Sequence, residues 1–495
     1  MDTIKEVEIL EQANRFVQEH QTEVDKTYRQ HYHLMPPLGW MNDPNGFVFF
    51  EGYYHCFYQF YPFEATNGVM FWGHARSKDL IKWENLPVAL APDQIYDKDG
   101  CWSGGAIVKD GKLFLLYTGN SCVDHIITQT QNLAVSSDGI HFEKYKNNPV
   151  ICDAHMPQQA SRSDFRDPYL WEMDGVYYAL IGNKYDGHPQ MLLYRSKDLF
   201  NWEFVGYTAK DEAFGIMCEC PNFARMNDSQ DIILFSPQEK PAEGYSFYNT
   251  SSTAYLVGKL DENSGVFHHN GMREIDFGTD FYATQLTASG QKKIMIAWMN
   301  MWGRNYATAQ MGHKWIGSMC LPRELSLENG LLIQRPVGAI RNYYDAPTYF
   351  LETIDGEKNI KNIHGRCVHL HIRVEMNHAE RFEIRMLKEG DHYISLSYSK
   401  ADTLVTLDRS HSRFDLGGLP FEKSRNGIRY AVYTGNPDHF QAEIFVDEIS
   451  VEAFLDGGRV TMTSLCYTAP TGTEITFFSD GDCVVSGEKH DIVIE

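Results

Sequence analysis

The chain has 495 residues, 44 Lys and Arg against 66 Asp and Glu, a formal net charge of −22 and 13% aromatic residues. That length exceeds what one ordinary hydrophobic core fills, and the acidic balance excludes nucleic acid and anionic membrane as natural partners. No apolar run approaches the ~18 residues of a spanning helix, so no membrane partner is expected.

Residues 1–31 read as a helical extension. Ile4, Val7, Leu10, Ala13, Val17 and Val24 mark one face and charged residues fill the rest, the pattern of a helix laid on the outside of a larger body. The first residues are acidic and lack the basic and apolar regions of a signal peptide, so a cytoplasmic location is expected.

Between residues 32 and 340 five apolar stretches recur: Gly52–Tyr58, Gly111–Tyr117, Gly175–Ile181, Asp231–Phe235 and Lys293–Trp298. Their starts lie roughly 60 residues apart, enough for a four-stranded blade. A second repeat follows the first three: Ser77-Lys78-Asp79 before Trp83, Ser136-Ser137-Asp138 before Phe142, and Ser196-Lys197-Asp198 before Trp202, with a looser copy at Leu260-Asp261-Glu262. Each reads as a turn leading into an outer strand. Five such units predict a five-bladed β-propeller.

Shortly before each repeated stretch stands a segment that carries chemistry. Trp40-Met41-Asn42-Asp43-Pro44-Asn45-Gly46 places a carboxylate in rigid turn chemistry, since Pro fixes φ and Gly supplies φ > 0. Trp102-Ser103 precedes the second stretch, Phe165-Arg166-Asp167-Pro168 the third, Cys218-Glu219-Cys220-Pro221 the fourth and Tyr282 the fifth. All five fall on the first strand of their units, and first strands line a propeller's axis. Three acids remote in sequence are therefore expected to converge at one mouth of the channel. Strand alternation directs Cys218 and Cys220 behind the channel wall, with Glu219 facing the other way. The ten cysteines have no framework spacing and read as free thiols. His31-x-His33 and His268-His269 lack metal-site partners, so no metal is expected.

The blade repeat stops after Pro336. Residues 341–353 read as a linker. From 354 to 495 alternating strands with almost no helix, among them Arg366–Val374, Tyr393–Tyr398 and Phe440–Val446, predict an antiparallel β-sandwich. The acids Asp447, Glu448 and Glu452 lie outside the propeller repeat and read as edge and surface residues.

Taken together, Trp40–Gly46, Phe57-Tyr58-Gln59, Phe71-Trp72-Gly73-His74, Cys101–Gly104, Phe165–Pro168, Glu219-Cys220-Pro221, Asp280–Ala283 and Leu321–Leu325 resemble glycoside hydrolase family 32, the invertases, sucrose-6-phosphate hydrolases and fructanases. The run His31–Pro37 is similar to intracellular bacterial members. The resemblance covers nearly the whole chain. It implies an all-β fold, a five-bladed propeller followed by a sandwich, and a retaining β-fructofuranosidase. It implies Asp43 as nucleophile, Glu219 as acid/base and Asp167 as transition-state stabiliser. Two carboxylates suit the chemistry, because one attacks while the other protonates the leaving oxygen. By the same resemblance Asn42, Gln59, Trp102 and Ser103 are fructose-contacting positions; Arg166 is expected to keep Asp167 ionised and bind the sugar, Asn67 and Tyr282 are expected to bind substrate as well, and Trp40 and Trp298 offer apolar faces to the sugar. Asn67 stands where many members carry Trp or His, Tyr61 replaces a frequent Asn, and Cys218 a frequent Trp. The implied partner is a small fructose-containing saccharide, the implied assembly a monomer or homodimer, and no metal or cofactor is called for. A fructan exo-hydrolase or fructosyltransferase would use the same residues. A non-catalytic carbohydrate-binding propeller leaves three carboxylates at equivalent blade positions unexplained.

Overall fold

The computed structural model describes residues 3–289, 292–417 and 427–494. Five sheets follow one another along the chain, each built on four antiparallel strands in sequence order from the innermost outward, the first with a short fifth strand added. Their innermost strands are Gly39–Phe50, Cys101–Lys109, Phe165–Met173, Met217–Arg225 and Tyr282–Ser289. These five contact one another in a closed ring, which makes a five-bladed propeller. The repeated apolar stretches are the second strands, buried between neighbouring blades; Leu115, Leu180, Leu234 and Ile296 are fully buried. Trp315–Ile316, from the last blade's long connection, pairs in parallel with Gly39–Trp40 and ties the end of the ring to its start.

Local chemistry explains the hairpins. Asp110-Gly111 and Asp174-Gly175 take φ of 49°, 70° and 53°, 76°, the paired positive values of a two-residue turn that matches strand twist. The Ser-x-Asp repeat is a second turn. The Ser77 hydroxyl accepts from the Leu80 amide at 2.8 Å, and Asp79 Oδ1 accepts from Ile81 and Lys82 at 3.0 Å. The same bonds recur at Ser136/Asp138 and Ser196/Asp198. Asp261 makes the looser copy alone, accepting from Asn263.

The N-terminal helix spans Thr3–His20 and packs on the outer strand of the first blade. Ala13 is fully buried there, and the Asn14 side chain accepts from the Val88 amide at 2.8 Å. The helix ends earlier than its expected span to residue 31. A 3₁₀ turn, Gln21–Glu23, follows, and Asp25 then accepts from the Thr27 amide at 2.8 Å, a local bond that competes with helix. The side chains of Ile4 and Val7 lie outside the described residues. Among the described residues no helix is long and apolar enough to cross a membrane.

After a 3₁₀ segment at Gly338–Tyr343, strand begins at Thr348, within the stretch that the sequence assigned to a linker. Ten antiparallel strands then form one hydrogen-bonded sheet folded over its own core. The 18-residue strand Glu474–Asp491 makes this possible. One part of it pairs with Arg381–Glu389 and another with Val368–Glu375, so it belongs to both layers. Val368, Leu370, Ile372 and Val374 face the core in strict alternation.

The two bodies meet across a buried polar seam. The His33 ring lies between Asp447 (Nδ1, 2.8 Å) and Glu452 (Nε2, 3.0 Å). Arg323 donates to Asp276 and Glu452 at 2.9 Å each and to Thr463 at 2.6 Å. Asp280 is paired with Arg409. Asp447 and Glu452 are therefore not the edge and surface residues expected from sequence. They are completely buried, because their partners come from the propeller, more than 100 positions away in the chain.

Candidate active site

Regular strand alternation would send neighbouring side chains to opposite faces. Every innermost strand breaks that rule near the axis. The register slips between Met41 and Pro44, between Trp102 and Gly104, opposite Leu180 and Gly182 beside Asp167, between Glu219 and Asn222, and between Tyr282 and Gln285. Such bulges bend a strand and re-aim its side chains. Asp167, Cys220 and Ala283 adopt φ of 64°, 46° and 54° at these points, a conformation that non-glycine residues hold only where surrounding structure enforces it.

The five slips open one end of the channel into a cavity of about 530 Å³, with Asp43, Asp167 and Glu219 on its walls. The cavity joins three acids from three different blades, 124 and 52 positions apart in the chain. Asn42, Gln59, Asn67, Trp102, Ser103 and Arg166 also line it. Asn67 is exposed at the mouth.

Asp43 is 8% exposed. It accepts from the Asn42 amide at 3.0 Å and from the Ser103 hydroxyl at 3.4 Å. Asn42 is held in turn by the Trp40 indole N–H at 2.7 Å. Burial, and then the charge of Glu219, push the Asp43 carboxyl up to about 6. Asp167 accepts from the Cys220 amide at 3.0 Å, while its own amide donates to Thr118. Burial and Glu219 raise its carboxyl to about 7 against the opposing pull of Arg166. Glu219 is the most tied of the three. Arg166 donates to its Oε1 through Nε at 3.0 Å and Nη2 at 2.8 Å, and the Tyr282 hydroxyl donates to its Oε2. The Arg166 guanidinium is itself held more firmly protonated by these acids, although burial opposes it.

Three expectations need correction. Trp40 and Trp298 do not face the cavity. Both are buried, packed on each other with ring centres 6.1 Å apart, and the exposed-side aromatic is Trp302, stacked on Trp40 at 6.0 Å. Tyr282 is fully buried and reaches Glu219 rather than the open cavity. Cys220 is not behind the wall. The bulge turns its thiol between Asp43 and Asp167, at 3.6 and 3.7 Å, whereas Cys218 is buried behind, as expected. The ten cysteines are free thiols.

Sequence reasoning also missed Asn45. With its amide oxygen turned toward donors, it accepts from Gln59 Nε2 at 3.0 Å and donates to the Ser103 hydroxyl at 3.1 Å, so it positions two wall residues. Its signal was its place in the Asn-Asp-Pro-Asn-Gly turn. Asp99, Gln238, Glu239, Thr250 and Ser251 also line the cavity and carried no local signal. Among the described residues no group of three or more His, Cys, Asp or Glu side chains is arranged to hold a metal ion.

Comparison with known proteins accounts for this layout. Residues 33–336 match the family model for the glycosyl hydrolases family 32 N-terminal domain, and residues 345–492 that for the family 32 C-terminal region. A sucrose-6-phosphate hydrolase of Bacillus subtilis is 33% identical over 92% of this chain and 92% of its own. A raffinose invertase of Escherichia coli is 34% identical over 92% of this chain and 93% of its own. A Bombyx mori family 32 β-fructofuranosidase, solved in complex with sucrose, superimposes with a TM-score of 0.85 at 31% identity, covering 99% of this chain and 98% of that one. With both halves matched and the innermost strands carrying an acid on three of five blades, the chain belongs to glycosyl hydrolase family 32.

Proposed function

We propose that this family 32 hydrolase is a retaining β-fructofuranosidase that removes terminal β-D-fructofuranosyl units from sucrose or related small fructosides, sucrose 6-phosphate and short fructo-oligosaccharides among them. It acts in the cytoplasm as a monomer or homodimer. The observation that carries the reading is the pairing of a buried, lightly bonded Asp43 with a firmly oriented Glu219 on the wall of one cavity.

Asp43 is the nucleophile. Ionised above about pH 6, its carboxylate attacks the anomeric C2 of the fructosyl unit. Glu219 gives its proton to the leaving oxygen as the C2–O bond breaks, and a fructosyl ester of Asp43 remains. Glu219 then takes a proton from water, the water oxygen attacks C2, and Asp43 departs as carboxylate. Two inversions at C2 leave the β-configuration unchanged. Asp167, fixed by the Cys220 amide, accepts from fructose hydroxyls as positive charge develops on the ring. Arg166 and Tyr282 orient Glu219, and Asn42, Gln59 and Ser103 bind the sugar. The low dielectric of the buried floor strengthens each of these contacts.

The test is stereochemical. NMR during the first turnovers is expected to show β-fructofuranose ahead of mutarotation, and a trapped fructosyl-enzyme is expected to carry its label on Asp43. An inverted product, or a label on Asp167, overturns the assignment.

A further inference from the structure

The lining of the cavity as a whole has a charge asymmetry that bears on the leaving group. The lining residues include five acids, Asp43, Asp99, Asp167, Glu219 and Glu239, and a single cation, Arg166. Arg166 is spent on Glu219 and Asp164. The two lysines nearest in sequence point elsewhere. Lys240 is buried, paired with Glu243 and 5.4 Å from the centre of the Phe247 ring. Lys98 donates to the Cys122 carbonyl at 2.7 Å and to Asp99 at 3.1 Å, so it offsets Asp99 alone. Glu239 is left over. Its side chain is exposed at the rim and makes no hydrogen bond or ion pair among the described residues. Its backbone has φ of 51°, a value that costs a glutamate strain, and is pinned by the bond from its amide to the Thr250 carbonyl at 2.9 Å. Thr250, Ser251 and Trp302 line the same cavity, the first two buried and Trp302 half-buried.

From this we infer that Glu239 is a specificity-determining residue: the leaving-group end of the cavity takes a neutral sugar, bound by hydroxyls, indole and the Glu239 carboxylate, and discriminates against a phosphorylated one. This rests on the β-fructofuranosidase reading above and ranks its candidate substrates. A fructosyl unit seated on Asp43 and Asp167 leaves its aglycone beyond Glu219, toward the mouth. A phosphate there carries about −1.5 to −2 charges at pH 7. No unengaged cation among the lining residues meets it. A doubly charged group roughly 8 Å from one carboxylate loses roughly sixfold even at the dielectric of water, and more where the wall excludes water. A neutral glucosyl hydroxyl donates to the same carboxylate without penalty.

The experiment compares kcat/KM for sucrose and for sucrose 6-phosphate, the phosphate being on the glucosyl unit, on the full-length enzyme at low and at high salt. Sucrose is expected to be favoured by about tenfold or more at low ionic strength. Raising the salt is expected to narrow that ratio, since screening weakens repulsion between exposed charges. Glu239→Gln is expected to raise the rate on sucrose 6-phosphate severalfold and to lower that on sucrose. Glu239→Gly, which suits the positive φ, keeps the test valid if Gln folds poorly. Equal or better use of sucrose 6-phosphate, a ratio that widens with salt, or an unchanged ratio in both variants overturns the inference while leaving the fructosidase reading intact. If neither compound is cleaved, the fructosidase reading itself fails and the inference falls with it.

Discussion

Two clusters of buried charge divide this molecule, and they are built on opposite terms. At the seam between propeller and sandwich each charge is answered. Glu452 lies between His33 and Arg323; burial works against its charge, yet these partners hold its carboxyl below the usual range. His33, although burial opposes its charge, is raised to about 9 by Asp447 and Glu452. At the cavity the balance is reversed. Three acids share one cation, and Asp43 and Asp167 are driven up to about 6 and 7. The seam uses buried charge to fix one docking geometry. The cavity leaves charge under-compensated, which suits the nucleophile role proposed for Asp43. The same side chains in the same protein thus serve stability or reactivity according to the count of their partners.

The contrast can be broken most severely at Asp43. Asp43→Asn is expected to lower kcat by a factor of ~10⁴ or more on sucrose, since no second nucleophile stands in its place. At the same time it is expected to stabilise the fold at neutral pH. A carboxyl raised in the folded state contributes stability that is present below about pH 4, its unfolded value, and lost as pH rises through about 6. Asn escapes that loss. Thermal melts at pH 8 are therefore expected to favour the variant by on the order of 2 kcal/mol, and melts at pH 4 to show no such gain. A variant that melts lower at pH 8 would mean that Asp43 is held by more than the structure records.

Glu219→Ala tests the second half of the pair. The loss is expected to be about 10³-fold or more with natural leaving groups and far smaller with an activated fructoside that needs no proton. Azide is expected to restore part of the activated rate by replacing the water that Glu219, in its proposed acid/base role, would deprotonate. Equal losses on both substrates with no azide effect would make Glu219 a binding residue.

At the seam the expected effect is on stability rather than turnover. Arg323→Ala strands Asp276 and Glu452 without their shared partner, at a cost of roughly 3–5 kcal/mol. Denaturant melts are expected to show it, with kcat per folded molecule nearly unchanged. A large drop in kcat at full folding would show that the seam positions the cavity as well.

The smallest effect is the pH dependence of the His33 contact. A histidine raised by its partners contributes stability that is complete below about pH 6.5, its unfolded value, and lost as pH rises through about 9. Melting temperatures between pH 7 and pH 10 are expected to fall in the parent and to fall less in His33→Gln. Parallel curves would show that the ring is neutral at pH 7.

Much of the architecture was legible because its causes are local. A blade strand needs alternation or an apolar run, a hairpin needs Asp-Gly, and an outer turn needs Ser-x-Asp. All three repeat at a fixed period, and that period assigned Asp43, Asp167, Glu219 and Tyr282 to equivalent strands of different blades. What sequence could not supply was the direction of individual side chains. Strand alternation put Cys220 behind the wall, and a single-residue bulge, enforced by neighbouring blades at a φ of 46°, turned it between two acids. Trp298 and Trp302 are indistinguishable as apolar residues four apart, and only the packing around Trp40 decides which one meets the cavity. Asp447 and Glu452 look like ordinary solvated acids because His33 and Arg323 reach them from another domain. Local rules determine which elements form, since φ, ψ and hydrophobic period are set within a few residues. Tertiary structure decides burial, bulge and partner, because each depends on groups that meet only after the ring has closed and the sandwich has docked.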